Sequence, residues 1–120
     1  MEKSNKIYLE DIVQAIRIIL EDYVSGINSK KFDKDKKTQD AVIRQIAIIG
    51  EAMGKLDKNF IENHPELPGK EAVAMRNVLV HDYDWVDTKE VWKTIEQDLP
   101  KLKETVEKIL QEEYKTTLTI

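Results

Sequence analysis

Cysteine is absent from this sequence of 120 residues, which excludes a disulfide framework and a metal site built on thiolates. Histidine occurs twice, and the pair does not have the His-Glu-x-x-His spacing of zinc hydrolases. We therefore expect neither a metal site nor a cofactor. A chain of this length is typical of one domain, here residues 1–120, and can bury a core without metal or disulfide support.

Long apolar runs are absent as well. No stretch of the sequence approaches the ~20 apolar residues that a membrane-spanning helix needs. Residues 1–5 are polar and lack the charged and then apolar layout of a signal peptide. The sequence therefore predicts a soluble, cytoplasmic protein that does not associate with a membrane.

An excess of positive charge is also lacking. The formal net charge is −4, and charged residues of both signs make up 35% of the chain. Because proteins that depend on non-specific phosphate contacts are usually basic, any contact with nucleic acid must come from a local patch. Residues 28–37 contain five lysines and two aspartates, for a net charge of +3. We interpret this segment as a solvated loop, with a phosphate-contacting edge as the alternative.

Strand alternation, hairpin turns and glycine-rich phosphate loops are missing, and a helical period takes their place. Apolar residues recur three and four positions apart, which predicts helices over residues 4–25 and 38–56, over residues from 70 to about 81 or 83, and from 88 onward. Gly26 is expected to end the first helix, and Asp87 to cap the last one. Pro100 is expected to kink that helix without breaking it. These elements predict an all-α fold, an up-and-down antiparallel bundle of four to five helices.

The predicted third helix carries a cation in the middle of its apolar side. Each residue advances a helix by about 100°, so Tyr83 returns beneath Arg76 two turns further on. Four apolar residues lie within about 60° of Arg76 on this projection, namely Ala72, Val73, Leu79 and Val80. A buried cation is costly unless it is paired or faces a cleft, so this position points to an ion pair or to a site.

The same helix end combines groups that metal-free RNA cleavage requires. His81 has an unperturbed pKa that suits proton transfer from a 2′-hydroxyl near neutral pH. Arg76 would stabilise charge on the phosphate in the transition state. Asn77 lies four residues before His81 and could orient its imidazole. One helix provides one Arg and one His, so a two-fold dimer is our hypothesis for the source of a second set.

Structural interpretations of these residues remain open. Arg76 could be a buried ion-pair partner of Glu51 or Asp87, and His81 could complement the macrodipole at the end of its helix. We predict Glu51 as a supporting residue that pairs with Arg76. The alternative places Glu51 on an exposed polar strip with Arg44 and Lys55.

The run from Arg76 to Tyr83, RNVLVHDY, resembles the motif of HEPN proteins, in which an Arg, often followed by Asn, precedes a His by four to six residues. A Tyr follows the His by two residues, and in this feature the sequence resembles the HepT-like toxin group of that superfamily. Three further segments match this group, IIGEA at 48–52, HPELP at 64–68 and DLP at 98–100. The resemblance covers roughly residues 7–110.

The resemblance implies a helical bundle that forms a homodimer, with the motif lining a cleft between subunits. It implies a metal-independent endoribonuclease toxin with Arg76 and His81 as catalytic residues. It further implies a partner, a minimal nucleotidyltransferase (MNT-type) antitoxin, that transfers AMP from ATP to Tyr83 and so silences the nuclease. The alternative functions are a non-catalytic helical subunit that presents substrate to such a nucleotidyltransferase, and a plain helical dimer in which Arg76 and His81 are structural.

Overall fold

The computed structural model describes residues 4–69 and 87–114, and its regular elements there are helices without strands. The α-helices are α1 (Asn5–Arg17), α2 (Ser29–Lys34), α3 (Lys36–Gly54), α4 (Lys58–Asn63), α5 (Thr88–Lys93) and α6 (Leu99–Tyr114). Wider π-helical segments follow α1 (Ile18–Tyr23) and join α5 to α6 (Thr94–Asp98). The predicted all-α class is confirmed. The predicted helix that begins at residue 70 lies outside the described residues.

The directions of the long helices follow from contacts at one end of the bundle. The side chain of Asn5 at the start of α1 donates to Asp57 after α3 (3.2 Å), and the amide of Asp57 donates back to Asn5 (3.0 Å). His64, after α4, contacts Glu113 near the end of α6 at 3.0 Å. Since α1 packs against both α3 and α6, it runs antiparallel to each of them. This is the predicted up-and-down arrangement.

The core is formed by the apolar stripes that the helical period predicted. Side chains of three helices and of the π segment after α1 are almost completely buried, including Leu9, Ile12, Ile16, Ile19, Val42, Met53, Val106 and Leu110. Removing side chains of this kind from water stabilises the fold by roughly 1.5–3 kcal/mol each. The described helices cannot cross a membrane, because none of them is long and apolar enough.

The prediction of a loop over residues 28–37 was wrong, because this segment contains α2 and the start of α3. Asn28 caps α2 by accepting from the amide of Lys31 at 3.0 Å. Phe32 is 1% exposed, and its ring centroid lies 5.3 Å from that of Trp92 on α5. The side chain of Gln39 donates to the carbonyl of Phe32 at 2.7 Å. The polar lysines therefore surround one buried aromatic residue. The overall polarity of the segment, from which a loop was predicted, does not reveal such a residue.

Caps fix where two further helices begin. Asp35 accepts from the amide (3.1 Å) and the hydroxyl (2.7 Å) of Thr38, and these bonds hold the pKa of Asp35 below its ordinary value. Asp87 accepts from the amide of Lys89 at 2.9 Å, so its predicted role as a cap is confirmed. Caps of this kind provide acceptors for backbone amides that have no partner within the helix.

The first and last helices are less regular than their sequence period indicates. The first changes from α to π geometry at Ile18, and Gly26, with φ of +80°, ends the region as predicted. The last continues through Pro100, as predicted, with the wider turn of Thr94–Asp98 directly before it. In a regular α-helix the proline ring would clash with the carbonyl four residues earlier, and a π turn changes that spacing.

We expect the Ile16→Ala variant to lose about 2–5 kcal/mol in free energy of unfolding, because Ile16 is fully buried where α1 packs in the core. Urea denaturation followed by circular dichroism measures this loss. Ile7→Ala is the matched control on the same helix, because Ile7 is 41% exposed and surface substitutions change stability by about 0.5 kcal/mol or less. Equal losses in the two variants would contradict the packing of α1.

Candidate functional site

The four motif residues of the predicted site, Arg76, Asn77, His81 and Tyr83, lie outside the described residues. The structure does describe the fifth, Glu51, and the three segments that flank the motif in the sequence pattern. The geometry of the site is therefore built from these surroundings.

A cavity of about 360 Å³ lies between α3 and α6. Each flanking segment contributes to its wall, through Ile49 and Gly50 on α3, Glu66 and Pro68 after α4, and Asp98 and Leu99 at the start of α6. Segments separated by many residues in sequence thus meet at one place in the fold. The three pieces of the resemblance are therefore neighbours in space.

The polar groups of the cavity come mainly from the last helical region. Thr94, Asp98, Lys101 and Thr105 line it, and Glu66 contributes a second carboxylate from the segment after α4. The four helical positions are spaced by four, three and four residues, which places them on one side of a helix. This polar row was not predicted from the sequence. Its spacing beside the apolar stripe was the signal that could have identified it.

The chain is fixed to the core just before it enters the motif segment. Leu67 is buried, and its amide donates to the carbonyl of His64 at 3.0 Å. Ile61 of α4 packs against the core, and its terminal methyl lies 3.6 Å from the position that a β-carbon would take at Gly69. Gly69 precedes Arg76 by seven residues in sequence. The described chain therefore ends at Gly69, directly after Pro68 of the cavity wall and seven residues before the motif.

His64 connects α4 to the end of α6. Its Nδ1 lies 2.8 Å from the carbonyl oxygen of Phe60, and its Nε2 lies 3.0 Å from Oε1 of Glu113. A carbonyl and a carboxylate only accept, so both contacts are hydrogen bonds at the same time only when both ring nitrogens carry a proton. The ring also stacks on Phe60, with centroids 4.2 Å apart. His64 thus has a structural role and is not among the described residues that line the cavity.

The protonated state of His64 agrees with the balance of its surroundings. Burial of the ring lowers its pKa, because the side chain is only 11% exposed. The hydrogen bonds with Phe60 and Glu113, together with the charges of Glu66 and Glu113, outweigh burial and raise the pKa of His64 above its ordinary value. The surroundings therefore favour the charged form of His64, which links α4 to the end of α6.

Glu51 lies on the exposed side of α3. Its side chain is 59% exposed, and its Oε1 is 3.4 Å from Nζ of Lys55. This is the exposed position on the polar strip that the sequence left open as an alternative. Glu51 is also not among the described residues of the cavity wall. Its pairing with Arg76 stays a prediction, because Arg76 lies outside the described residues.

Asp87, the other candidate partner of Arg76, is exposed and caps α5. Within residues 4–69 and 87–114, no group of three or more His, Cys, Asp or Glu side chains is placed to hold a metal ion.

The chain belongs to the ribonuclease HepT-like family, because the family model matches residues 12–109. It is 46% identical over 109 residues to "Probable ribonuclease HepT" of Thermococcus cleftensis, which covers 91% of this chain and 98% of that protein. It is 40% identical over 111 residues to "Putative RNase TTE0752" of Caldanaerobacter subterraneus subsp. tengcongensis, with 92% and 98% covered. The resemblance read from the motif is confirmed. No solved structure matches the chain.

A third relative is longer than this chain. "Gamma-glutamylcyclotransferase and putative RNase MJ0434" of Methanocaldococcus jannaschii is 42% identical over 112 residues, which covers 93% of this chain and half of that protein.

We predict that His64 makes the stability of the protein depend on pH. Its raised pKa means that its contribution is fully present below the unfolded pKa of about 6.5 and is lost as pH rises through the folded pKa. In His64→Gln, the free energy of unfolding should therefore fall less between about pH 6 and 8 than in the wild type. Urea denaturation at a series of pH values measures the difference.

Two further variants complete this experiment. Glu113→Gln removes the anionic acceptor of His64 and should also reduce the pH dependence. Glu112→Gln is the control, because it is the exposed neighbouring carboxylate and should leave the pH dependence of the wild type intact. A His64→Gln protein with the wild-type pH profile would show that the imidazolium is not held as described.

Proposed function

We propose that this protein is a metal-independent endoribonuclease that acts as the toxin of a toxin–antitoxin pair. The observation that carries the proposal is the run RNVLVHDY from Arg76 to Tyr83 in a chain of the ribonuclease HepT-like family. The convergence of the three flanking segments on one cavity adds support. Relatives named as ribonucleases match nearly the whole of this chain.

The proposed chemistry assigns one step to each motif residue. His81 accepts the proton of a 2′-hydroxyl, whose oxygen then bonds to the adjacent phosphorus. Arg76 neutralises the charge that develops on the phosphate oxygens, and Asn77 orients the imidazole. The bond from phosphorus to the 5′-oxygen breaks, and that oxygen takes a proton from a general acid. No step requires a metal ion.

A homodimer is part of this proposal, because one chain brings one Arg and one His to the motif. Two copies related by a two-fold axis would place two motifs in one cleft, so that one histidine acts as base and the other as acid. Glu51 would support Arg76 in this arrangement if the pair forms when RNA is bound.

The proposed regulation is the transfer of AMP to Tyr83 by a nucleotidyltransferase antitoxin. The tyrosine oxygen would attack the α-phosphate of ATP, with pyrophosphate as the leaving group. A bulky nucleotide with a negative phosphate beside Arg76 and His81 would occupy the position of the scissile phosphate and repel RNA. Modification would therefore silence the nuclease without unfolding it.

We expect purified protein to cleave RNA in the presence of EDTA, and the His81→Gln variant to lose at least about a hundredfold in rate, the lower range for removing a general acid or base. His64→Gln is the matched control, because it makes the same change at the other histidine, which holds α4 to α6. It should cleave at the wild-type rate, because His64 is outside the motif, and thermal unfolding checks that the variant remains folded in the assay. Gel electrophoresis of the RNA products gives the rates.

Two other results would overturn the nuclease assignment. A wild-type protein that cleaves no RNA, yet binds a nucleotidyltransferase, would be the non-catalytic subunit. A His81→Gln variant whose melting temperature falls together with its activity would indicate a structural histidine, so thermal unfolding of each variant accompanies the assay.

We expect incubation with the cognate nucleotidyltransferase and ATP to add one adenylyl group per chain and to abolish cleavage. Mass spectrometry of the intact protein measures the addition. Tyr83→Phe, which lacks the accepting oxygen, should keep its mass, while Tyr8→Phe, at a half-buried position on α1, should be modified like the wild type. Modification of Tyr83→Phe would place the acceptor elsewhere.

A further inference from the structure

A concentrated positive surface occupies the end of the bundle opposite His64. It consists of Lys30, Lys31 and Lys34 on α2 and Lys37 at the start of α3, all of them exposed, and we call it the α2 lysine surface. Lys36 lies in the same run but pairs with Asp40 at 3.2 Å, so it is not included. The remainder of the chain is acidic, since the net charge of the protein is −4.

The acidic residues of this segment are occupied by bonds to other groups. Asp33 accepts a hydrogen bond from the hydroxyl of Thr88 on α5. Asp35 accepts two bonds from Thr38, and the charges of Lys31 and Lys37 also act on it. Among the described residues, none of the four lysines forms an ion pair. The two aspartates offset part of the lysine charge, and four lysines against two aspartates leave this surface with a net charge of +2.

The spacing of the lysines works against the stability of α2. Lys30 and Lys34 are four residues apart and Lys31 and Lys34 three apart, so like charges are neighbours on a helix of six residues. Such pairs destabilise a helix. The helix nevertheless persists, because Phe32 is buried against Trp92 and Thr88 holds Asp33. The fold thus holds several like charges close together on an ordered helix. This arrangement favours the interpretation of the segment as a surface for a polyanionic ligand over its interpretation as a solvated loop.

We propose that the α2 lysine surface binds the sugar–phosphate backbone of RNA. This inference rests on the proposed function, and it adds a docking surface to the motif that would cleave the RNA. Lysine contacts to phosphate are independent of base sequence, so the surface would set the affinity and orientation of the substrate and not the choice of base.

The α2 lysine surface is linked to the end of the motif by a short piece of chain. Tyr83 precedes Thr88 by five residues, and Thr88 is bonded to Asp33 of α2. Five residues span at most about 18 Å even when fully extended. The end of the motif is therefore close enough to the α2 lysine surface for one RNA strand to contact both in the same subunit.

The test compares two triple variants with the same net charge. The first, Lys30→Gln with Lys31→Gln and Lys34→Gln, removes the centre of the α2 lysine surface. The second, Lys6→Gln with Lys58→Gln and Lys108→Gln, removes three lysines at exposed or half-buried positions near the opposite end. Both are made in the His81→Ala background, so that RNA is not cleaved during measurement. Fluorescence anisotropy with a short, labelled single-stranded RNA gives the dissociation constant as a function of salt concentration.

We expect the α2 variant to bind RNA at least about tenfold more weakly near 50 mM salt, and the control to bind like its parent. The dependence of log K on log salt should become shallower by about 2, because each lost phosphate contact removes about 0.7 on a single strand. The melting temperature of the α2 variant should not fall, since the substitution removes repulsion between like charges. In the active background, the α2 variant should raise KM and leave kcat unchanged.

The outcomes separate this proposal from the nuclease assignment. Equal affinities and salt slopes for the two triple variants, or no binding of RNA by the parent, would overturn the docking surface. RNA cleavage with an unchanged KM in the α2 variant would keep the nuclease and reject the surface. Binding that depends on the α2 lysines in a protein that cleaves no RNA would keep the surface and reject the nuclease.

Discussion

The burial of α1 between α3 and α6 is the constraint on which the other features of the structure depend. Ile12 and Ile16 have no exposed surface where α1 packs against its neighbours. Protein interiors are close-packed, so rotating α3 or α6 about its own axis would open voids against these side chains. The rotation of α3 directs Gly50 toward the cavity, and that of α6 directs Leu102 there. The shape of the cavity wall is therefore a consequence of how α1 is packed, although α1 contributes none of its described lining residues.

The parts of the fold that the sequence predicted correctly are those set by local chemistry. Helical spacing of apolar residues identified the long helices, and a capping pattern identified Asp87. The ability of glycine to adopt positive φ identified Gly26 as a stop. The segment around α2 was interpreted as a loop because its order depends on Phe32 meeting Trp92, sixty residues further along the chain. The π segments were missed for another reason, since one wider turn barely changes an apolar period read over a whole helix.

The motif of the candidate site stays a prediction, while the three segments that flank it in the sequence pattern were identified and lie together at the cavity. Arg76 and His81 drew attention as a cation on an apolar stripe with a histidine near it, and the resemblance to the HEPN motif gave them catalytic roles. The position of Glu51 was not decided, because a helical projection gives the direction of a side chain and not the presence of a partner such as Lys55. The protonation of His64 depends on two acceptors from different elements, and their coincidence is a property of the folded chain.

The short length of α2, six residues, affects the local motion of the molecule. Isolated helices shorter than about 12–15 residues do not persist in water, so α2 is ordered by its tertiary contacts alone. Backbone amides in such an element exchange their hydrogens with solvent through a local opening, while those of α1 and α3 require the loss of the core. The contact between Phe32 and Trp92 thus defines a unit that opens on its own. The three lysines of α2 then change their positions relative to Lys37 on α3, while the rest of the protein remains folded.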